Sequence, residues 1–164
     1  MTFLHPHKIA HLILCALLLT ACDHSNSESV PEFQSEMENF LTYGIQNTPY
    51  AALIRNISSS VESLPDDDTS DDFALVRWSF TAEVLETYRG PSDKTIHYTV
   101  DAEKGEAPNF GDGPFIILLC ESKDGYYWPG IGFNFPTGER QEKIARSLGK
   151  KVDKKQRTFV ECGE

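Results

Sequence analysis

The sequence predicts a mainly β fold with flanking helices, arranged as a small five-stranded antiparallel Greek-key barrel. Residues 76–84 alternate apolar and polar without a break, and residues 96–101 alternate again after a turn. Residues 115–120 form an unbroken apolar run that ends shortly before a Lys-Asp-Gly turn. Alternation places one face of a strand in a core, whereas an apolar run of six residues indicates a strand covered on both faces.

The first part of the predicted domain supplies a helix and a strand. Apolar residues at helical spacing from Phe33 to Gly44 predict a helix of about three turns that starts near Pro31. We expect its aromatic stripe, which includes Phe33 and Phe40, to pack in the core; a helix that binds a partner's groove is the alternative. Residues 51–57 predict a strand, with a helical turn as the alternative.

The last third of the chain supplies a bent strand and a second helix. Residues 126–135 hold five aromatic residues but are interrupted by Pro129 and Gly130, which indicates a bend or bulge. Thr137 is the expected cap of a helix at residues 139–148, which Gly149 ends. Phe159 and Val160 predict either a short edge strand or a packed chain end.

Residues 1–21 carry the pattern of a secretory signal peptide. Residues 12–19 form an apolar run of eight, too short to span a bilayer, and small residues follow it. The stretch Leu19-Thr20-Ala21-Cys22 resembles the lipobox of bacterial lipoproteins. This resemblance implies cleavage before Cys22, a diacylglycerol on its thiol and an acyl chain such as palmitate on the new amino group. An ordinary signal peptide with a chance cysteine is the alternative.

The lipobox resemblance divides the chain into a signal peptide at 1–21, a flexible tether at 22–30 and a single domain at 31–164. The domain would face the periplasm from a lipid bilayer, to which the acylated Cys22 anchors it. Asp23 resembles the signal that retains enterobacterial lipoproteins in the inner membrane. Cleavage removes Lys8 and no acidic residue, so the formal charge moves from −10 to −11. Because such an acidic chain repels nucleic acid, we exclude nucleic acid as a partner.

Positive charge is concentrated near the carboxy terminus. Residues 139–157 carry eight Lys and Arg against three Asp and Glu. This segment could face anionic lipid or an acidic partner, and a solvated helix face followed by a solvated tail is the alternative. The basic residues are Arg140, Lys143, Arg146, Lys150, Lys151, Lys154, Lys155 and Arg157.

Two cysteines remain for the folded domain, because cleavage removes Cys15 and acylation occupies Cys22. The cell envelope oxidises thiols, so we expect Cys120 and Cys162 to form one disulfide that pins the carboxy-terminal tail to the end of a central strand. A buried free Cys120 with an exposed Cys162 is the alternative. The disulfide requires the two Cα atoms to lie within about 7 Å.

Residues 84–90 of the predicted β core read Val-Leu-Glu-Thr-Tyr-Arg-Gly, and residues 113–119 read Gly-Pro-Phe-Ile-Ile-Leu-Leu. These two segments resemble the netrin-like modules, a family that includes the amino-terminal domain of the tissue inhibitors of metalloproteinases. The resemblance covers roughly residues 50–135 and implies an OB-type barrel. Those inhibitors chelate zinc through a free amino-terminal cysteine, whereas Cys22 is expected to be acylated, so only the fold is implied.

The sequence offers no catalytic motif, and we expect no metal site and no cofactor. Of the two histidines left after cleavage, His24 lies in the tether and His97 on the polar face of a strand. The acidic run at residues 66–72 lacks the glycine of an EF-hand loop and indicates a solvated hairpin loop. The aromatic residues 126–128 could form a sugar- or peptide-binding platform, but barrel core and rim is the favoured interpretation.

Two functional hypotheses follow from these patterns. The first is a membrane-anchored envelope lipoprotein, not an enzyme, whose barrel binds or scaffolds another envelope component, in particular a protein partner. The second is a small envelope enzyme such as a hydrolase, for which His97 would be the first residue to test.

Overall fold

A computed structural model describes residues 32–65 and 74–163 of the chain. The signal peptide, the tether with Cys22, Pro31 and the acidic run at 66–72 lie outside the described residues. None of the described helices is long and apolar enough to cross a membrane. The elements, in chain order, are α1 (Glu32–Asn47), β1 (Tyr50–Ser63), β2 (Leu75–Arg89), β3 (Thr95–Glu103), β4 (Phe115–Ser122), β5 (Gly125–Tyr127), β6 (Asn134–Pro136) and α2 (Glu139–Gly149).

Five strands form a closed, barrel-like ring. The strand order is β1-β2-β3-β5-β4, and β4 closes the ring by pairing with β1. Four of the five pairings are antiparallel, and β3 with β5 is parallel because the tight β4–β5 turn sends β5 back in the direction of β3. The short β6 pairs with the start of β4. The expected mainly β fold with a small five-stranded ring and two flanking helices is confirmed.

The ring carries two hydrophobic cores, one inside it and one on its outer side under the helices. The apolar run of β4 serves both: Phe115, Ile117 and Leu119 face the interior, while Ile116 and Leu118 face the helices. All six residues from Phe115 to Cys120 are buried, as the unbroken run predicts. The alternating residues of β2 and β3 line the interior core, with Phe80, Ala82, Ile96, Tyr98 and Val100 buried there.

Helix α1 is longer than predicted, and its aromatic stripe is not the buried face. Leu41, Gly44 and Ile45 are buried, whereas Phe33 is 74% exposed and Phe40 is 62% exposed. The prediction that these two phenylalanines pack in the core is therefore wrong. Neighbouring residues point about 100° apart around a helix, so packing centred on Leu41 and Ile45 turns Phe40 away from the sheet.

The carboxy-terminal third differs from the predictions at three points. The bent strand is instead two separate short strands, β5 and β6, because the turn at residues 129–132 interrupts the pairing. Helix α2 is present, but its cap is Gly138, and no side chain caps it, so Thr137 does not have the predicted role. Glu139 and Glu142 lie in its first turn, where carboxylates favour the helix dipole. Val160–Cys162 is a single 3₁₀ turn, so no edge strand forms there; Phe159 is half-buried, whereas Val160 is 76% exposed.

Candidate functional site

An open cleft of about 1030 Å³ lies where β2, α2 and the carboxy-terminal segment meet. Its walls are the end of β2 with the following turn (residues 86–92), the β4–β5 hairpin (residues 121–123) and residues 149–163. The lining includes six basic side chains and three acidic ones. The acidic ones are Glu86, Glu121 and Asp153, and the basic ones are Arg89, Lys123, Arg146, Lys150, Lys154 and Arg157.

Arg89, the last residue of β2, is buried beside the cleft and is only 7% exposed. Its guanidinium donates hydrogen bonds to the carbonyl oxygens of Ile45 (2.7 Å) and Gln46 (3.1 Å) in the last turn of α1. A cation at this position interacts favourably with the helix dipole, and its N–H groups satisfy carbonyls that have no partner within the helix. Arg89 therefore joins the end of a strand to the end of a helix.

The same guanidinium also holds the carboxy-terminal segment. It donates to the side-chain oxygen of Gln156 (2.8 Å) and to the carbonyl oxygen of Asp153 (3.4 Å), and it lies 4.8 Å from the centre of the Phe159 ring. Burial lowers the pKa of Arg89, and the nearby Asp153 charge opposes this effect. All of its hydrogen-bond acceptors in the described chain are neutral, so its charge is not cancelled by a bonded carboxylate.

Arg146 is the one lining cation that forms ion pairs with described carboxylates. It contacts Glu86 with two nitrogens, at 2.8 Å and 2.7 Å, and Glu142 at 2.8 Å. The hydrogen bonds that Arg146 donates to Glu86, and then the one to Glu142, raise the pKa of Arg146. Glu86 and Arg146 therefore offset each other, and the surplus charge of the cleft comes from other residues.

Four exposed cations supply that surplus. Lys123 stands on the β4–β5 hairpin, and Lys150, Lys154 and Arg157 stand on the opposite wall. None of the four forms an ion pair with a carboxylate of residues 32–65 or 74–163. Together with Arg89 they outnumber Glu121 and Asp153, so the cleft is positive in a chain whose formal charge is −10. Such a concave surface attracts anionic groups.

Two glycines allow the walls of the cleft to approach each other. A Cβ atom on Gly149 would lie 2.2 Å from the carbonyl oxygen of Tyr88, so the end of α2 can pack on β2 only without a side chain there. Gly90 has a φ of +93°, and its Cβ atom would lie 2.7 Å from the ring of Tyr50. Gly149 was expected only to end the helix, and the structure adds this close approach.

The carboxy-terminal wall is fixed at its far end by the cysteine pair. The Cα atoms of Cys120 and Cys162 are 5.2 Å apart and the sulfurs are at bonding distance, which meets the geometric requirement for the predicted disulfide. The Tyr127 hydroxyl donates to the carbonyl oxygen of Cys162 at 2.8 Å. The Tyr43 hydroxyl donates to the Glu161 carboxylate. The tail is thus held by α1, β4 and β5.

His97 lies on the exposed side of β3, as predicted. Its Nδ1 atom is 3.1 Å from the Thr81 hydroxyl on the neighbouring strand, and among the described residues it has no hydrogen-bonded carboxylate. A triad needs a nucleophile, a base and a group that orients the base. The described residues do not assemble that arrangement around His97.

The aromatic residues 126–128 contribute to the core and rim of the barrel. The Tyr126 ring lies 4.7 Å from that of Tyr50, and the Trp128 ring packs edge-on against Phe110 at 5.5 Å. All three residues are half-buried. Phe110 comes from the long polar loop before β4, where no sequence signal predicted a core residue.

No metal-binding cluster occurs in residues 32–65 and 74–163, where no three His, Cys, Asp or Glu side chains could together hold a metal ion. Cys22 and the acidic run at 66–72 lie outside the described residues. Five of the eight basic residues take part in these contacts: Arg140 pairs with Glu38 on α1, Arg146 pairs with Glu86 and also lines the cleft, and Lys150, Lys154 and Arg157 line the cleft.

Sequence reasoning did not identify the role of Arg89. No local signal was available, because the apolar–polar alternation of β2 ends at Val84 and is broken by Leu85 and Glu86 before Arg89 is reached. Comparison with known proteins adds no assignment, since no family model matches the chain and no curated protein matches it.

Proposed function

We infer that this protein is a lipid-anchored component of the bacterial cell envelope whose barrel-like domain binds an acidic surface of another envelope protein. The observation that carries the binding role is the positive cleft, with its four exposed cations that have no described ion-pair partner. The lipobox-like stretch ending in Cys22 supports the anchor, and Asp23 supports the inner membrane. The polar residues between Cys22 and α1 would let the domain face the periplasm.

The anchor is tested by Cys22→Ala in the full chain. Acylation requires the thiol, so we expect loss of incorporated fatty acid and loss of the protein from the membrane fraction. Cys15→Ala is the matched control, because Cys15 lies inside the predicted signal peptide and should leave acylation intact. Fatty-acid label retained on the Cys22→Ala protein would overturn the anchor.

The cleft is tested by reversing its charge. In the double variant Lys150→Glu/Lys154→Glu, repulsion should remove the partner that crosslinks to the wild-type chain in its own membrane. Lys94→Glu/Lys104→Glu is the matched control, since both lysines are exposed and lie outside the cleft. A partner retained equally by both double variants would reject the cleft as the binding site.

Salt separates a protein partner from the membrane itself. Binding of the domain to vesicles that contain anionic lipid, lost at high salt and lost in the cleft variant, would show that lipid headgroups occupy the cleft. That result would replace the protein partner in this proposal. With a protein partner, we expect no vesicle binding beyond that of the control variant.

A further inference from the structure

The second half of β1 has a free edge. Pairing between β1 and β4 stops at Ile54, opposite Phe115, whereas pairing between β1 and β2 continues to Ser63. From Arg55 to Ser63, β1 therefore has a strand partner on one side only within the described chain. Alternate backbone N–H and C=O groups along such an edge point away from the sheet and can pair with another strand.

Most of this edge lacks the charges and prolines that commonly prevent strand addition. Between Arg55 and Glu62 it has no charged residue and no proline; its sequence is Asn-Ile-Ser-Ser-Ser-Val. A bulge at Ile57 interrupts the register with β2, but residues 58–63 pair with β2 without a break. Ile57 is 63% exposed and Val61 is 52% exposed. Beyond the bulge, residues 58–61 form an uncharged, regularly paired edge, and an edge of this kind beside exposed apolar side chains is a surface that proteins ordinarily cover.

We propose that the edge of β1 at residues 55–63 pairs antiparallel with the same edge of a second copy of this chain. A two-fold axis at Ser59 brings Ile57 of one copy opposite Val61 of the other, so each exposed apolar side chain gains a partner. No residue of this edge lines the cleft, so the dimer leaves the cleft of each copy open.

The order of charges along the edge favours a second copy in antiparallel orientation. Arg55, which also contacts Glu83 of its own chain at 3.4 Å, stands at one end and Glu62 at the other. Antiparallel pairing brings the positive end of each copy to the negative end of its partner, whereas parallel pairing would align like charges. The serines at positions 58–60 are small and allow the two backbones to approach. The result is a continuous sheet in which β1 strands from two copies are central.

Only a short strand pair is buried, which is less than the roughly 1,200 Å² of a stable specific interface, so we expect a weak dimer. A covalent trap detects such a dimer. In Ser59→Cys, the two new thiols face each other across the axis and should form an intermolecular disulfide in intact cells treated with a mild thiol oxidant.

Ser63→Cys is the matched control, since it is an equally exposed serine on the same edge. The axis at Ser59 sets two copies of residue 63 eight positions apart, about 27 Å at strand spacing. We expect at least a tenfold higher yield of covalent dimer from Ser59→Cys. Adding Val61→Lys to Ser59→Cys should abolish that dimer, while adding Ile131→Lys, at an exposed isoleucine outside the edge, should not.

Four results would overturn the dimer: no covalent dimer from Ser59→Cys, equal yields from Ser59→Cys and Ser63→Cys, a Ser59→Cys disulfide to a different protein, or a dimer that survives Val61→Lys. Equal yields would indicate random collision. A disulfide to a different protein would mean that another strand occupies the edge. A dimer that survives Val61→Lys would place the contact elsewhere and would also reject the proposal.

Discussion

The two halves of β1 belong to one strand but lie in different surroundings. Residues 50–54 pair with β4 and, from Ala51 onward, also with β2, and four of the five are buried. Residues 58–63 pair with β2 alone, and they and the bulged Ile57 are all exposed. The first half supplies Tyr50, Ala52 and Ile54 to the interior core, whereas the second half is rich in serine. Pairing with β2 thus sets the length of the strand, while coverage by other elements sets where the core ends.

The largest contrast should appear when each half loses apolar volume. Ile54→Ala removes a fully buried side chain from the core and should lower the free energy of unfolding by about 2–5 kcal/mol. Val61→Ala, on the same strand but half exposed, should lower it by less than about 0.5 kcal/mol. Urea unfolding of both variants measures the difference, and similar losses would contradict the division of β1.

The sequence predicted the buried half better than the exposed half for a physical reason. Alternation in β2 and the unbroken run in β4 report burial, and both strands were predicted, β2 with one buried face and β4 with both faces covered. The predicted first strand ended at residue 57, because Ser58, Ser59 and Ser60 have no apolar pattern; backbone pairing with β2 extends it to Ser63. The prediction that the aromatic stripe of α1 packs in the core was wrong, because helical spacing alone cannot say which side of the helix the sheet will cover.

The candidate site was only partly predictable. The cysteine pair was predicted by counting the thiols left after the expected cleavage and acylation, on the expectation of an oxidising compartment, and the structure places its Cα atoms 5.2 Å apart. The cleft could not be predicted from the sequence. Arg89, which holds its carboxy-terminal wall, bonds to carbonyls 43 and 44 residues earlier and to a side chain 67 residues later. Contacts of such long range leave no local pattern in the sequence.

Removal of the predicted disulfide tests how much the attachment of the carboxy-terminal tail contributes to stability. Cys162→Ser frees the carboxy-terminal segment and should lower the free energy of unfolding by about 2–4 kcal/mol. Amide exchange should quicken along residues 150–163 and remain unchanged in residues 58–63, which lie outside the cleft. Intact mass after alkylation, with and without reductant, is the direct measurement. Full alkylation of both wild-type thiols without reductant would show that no disulfide forms.

The same substitution at two arginines sharpens the comparison further. Arg89→Lys loses the planar fork that bonds α1 and the tail, and should cost about 1–3 kcal/mol of stability. Arg77→Lys, on β2, loses a partly exposed two-point contact to Asp101 on β3 and should cost about 0–1 kcal/mol. Chemical unfolding distinguishes the two, and an equal cost would mean that burial of Arg89 contributes nothing.

The smallest predicted effect lies at the boundary between the two halves, where the Tyr98 hydroxyl donates to Asn56 at 3.0 Å. Burial raises the pKa of Tyr98 well above its ordinary value near 10, and the hydrogen bond to Asn56 partly opposes the shift. The folded chain therefore keeps this proton at a pH where the unfolded chain releases it. The stability from the neutral hydroxyl is fully present below about pH 10 and falls as the pH rises above it.

Tyr98→Phe loses the hydrogen bond to Asn56, which lowers its stability by the same amount at every pH. The contribution of the Tyr98 proton is therefore isolated by comparing the slopes of stability against pH of the two proteins. Between pH 8 and pH 10.5, wild-type stability should fall by about 0.8 kcal/mol more than that of Tyr98→Phe. The buried Tyr50, whose pKa burial raises to about 12, and Tyr88 remain in both proteins, so their share cancels in the difference. Identical pH slopes in urea unfolding would show that water reaches the Tyr98 hydroxyl. The solvent-exposed half of β1 would then begin before Asn56.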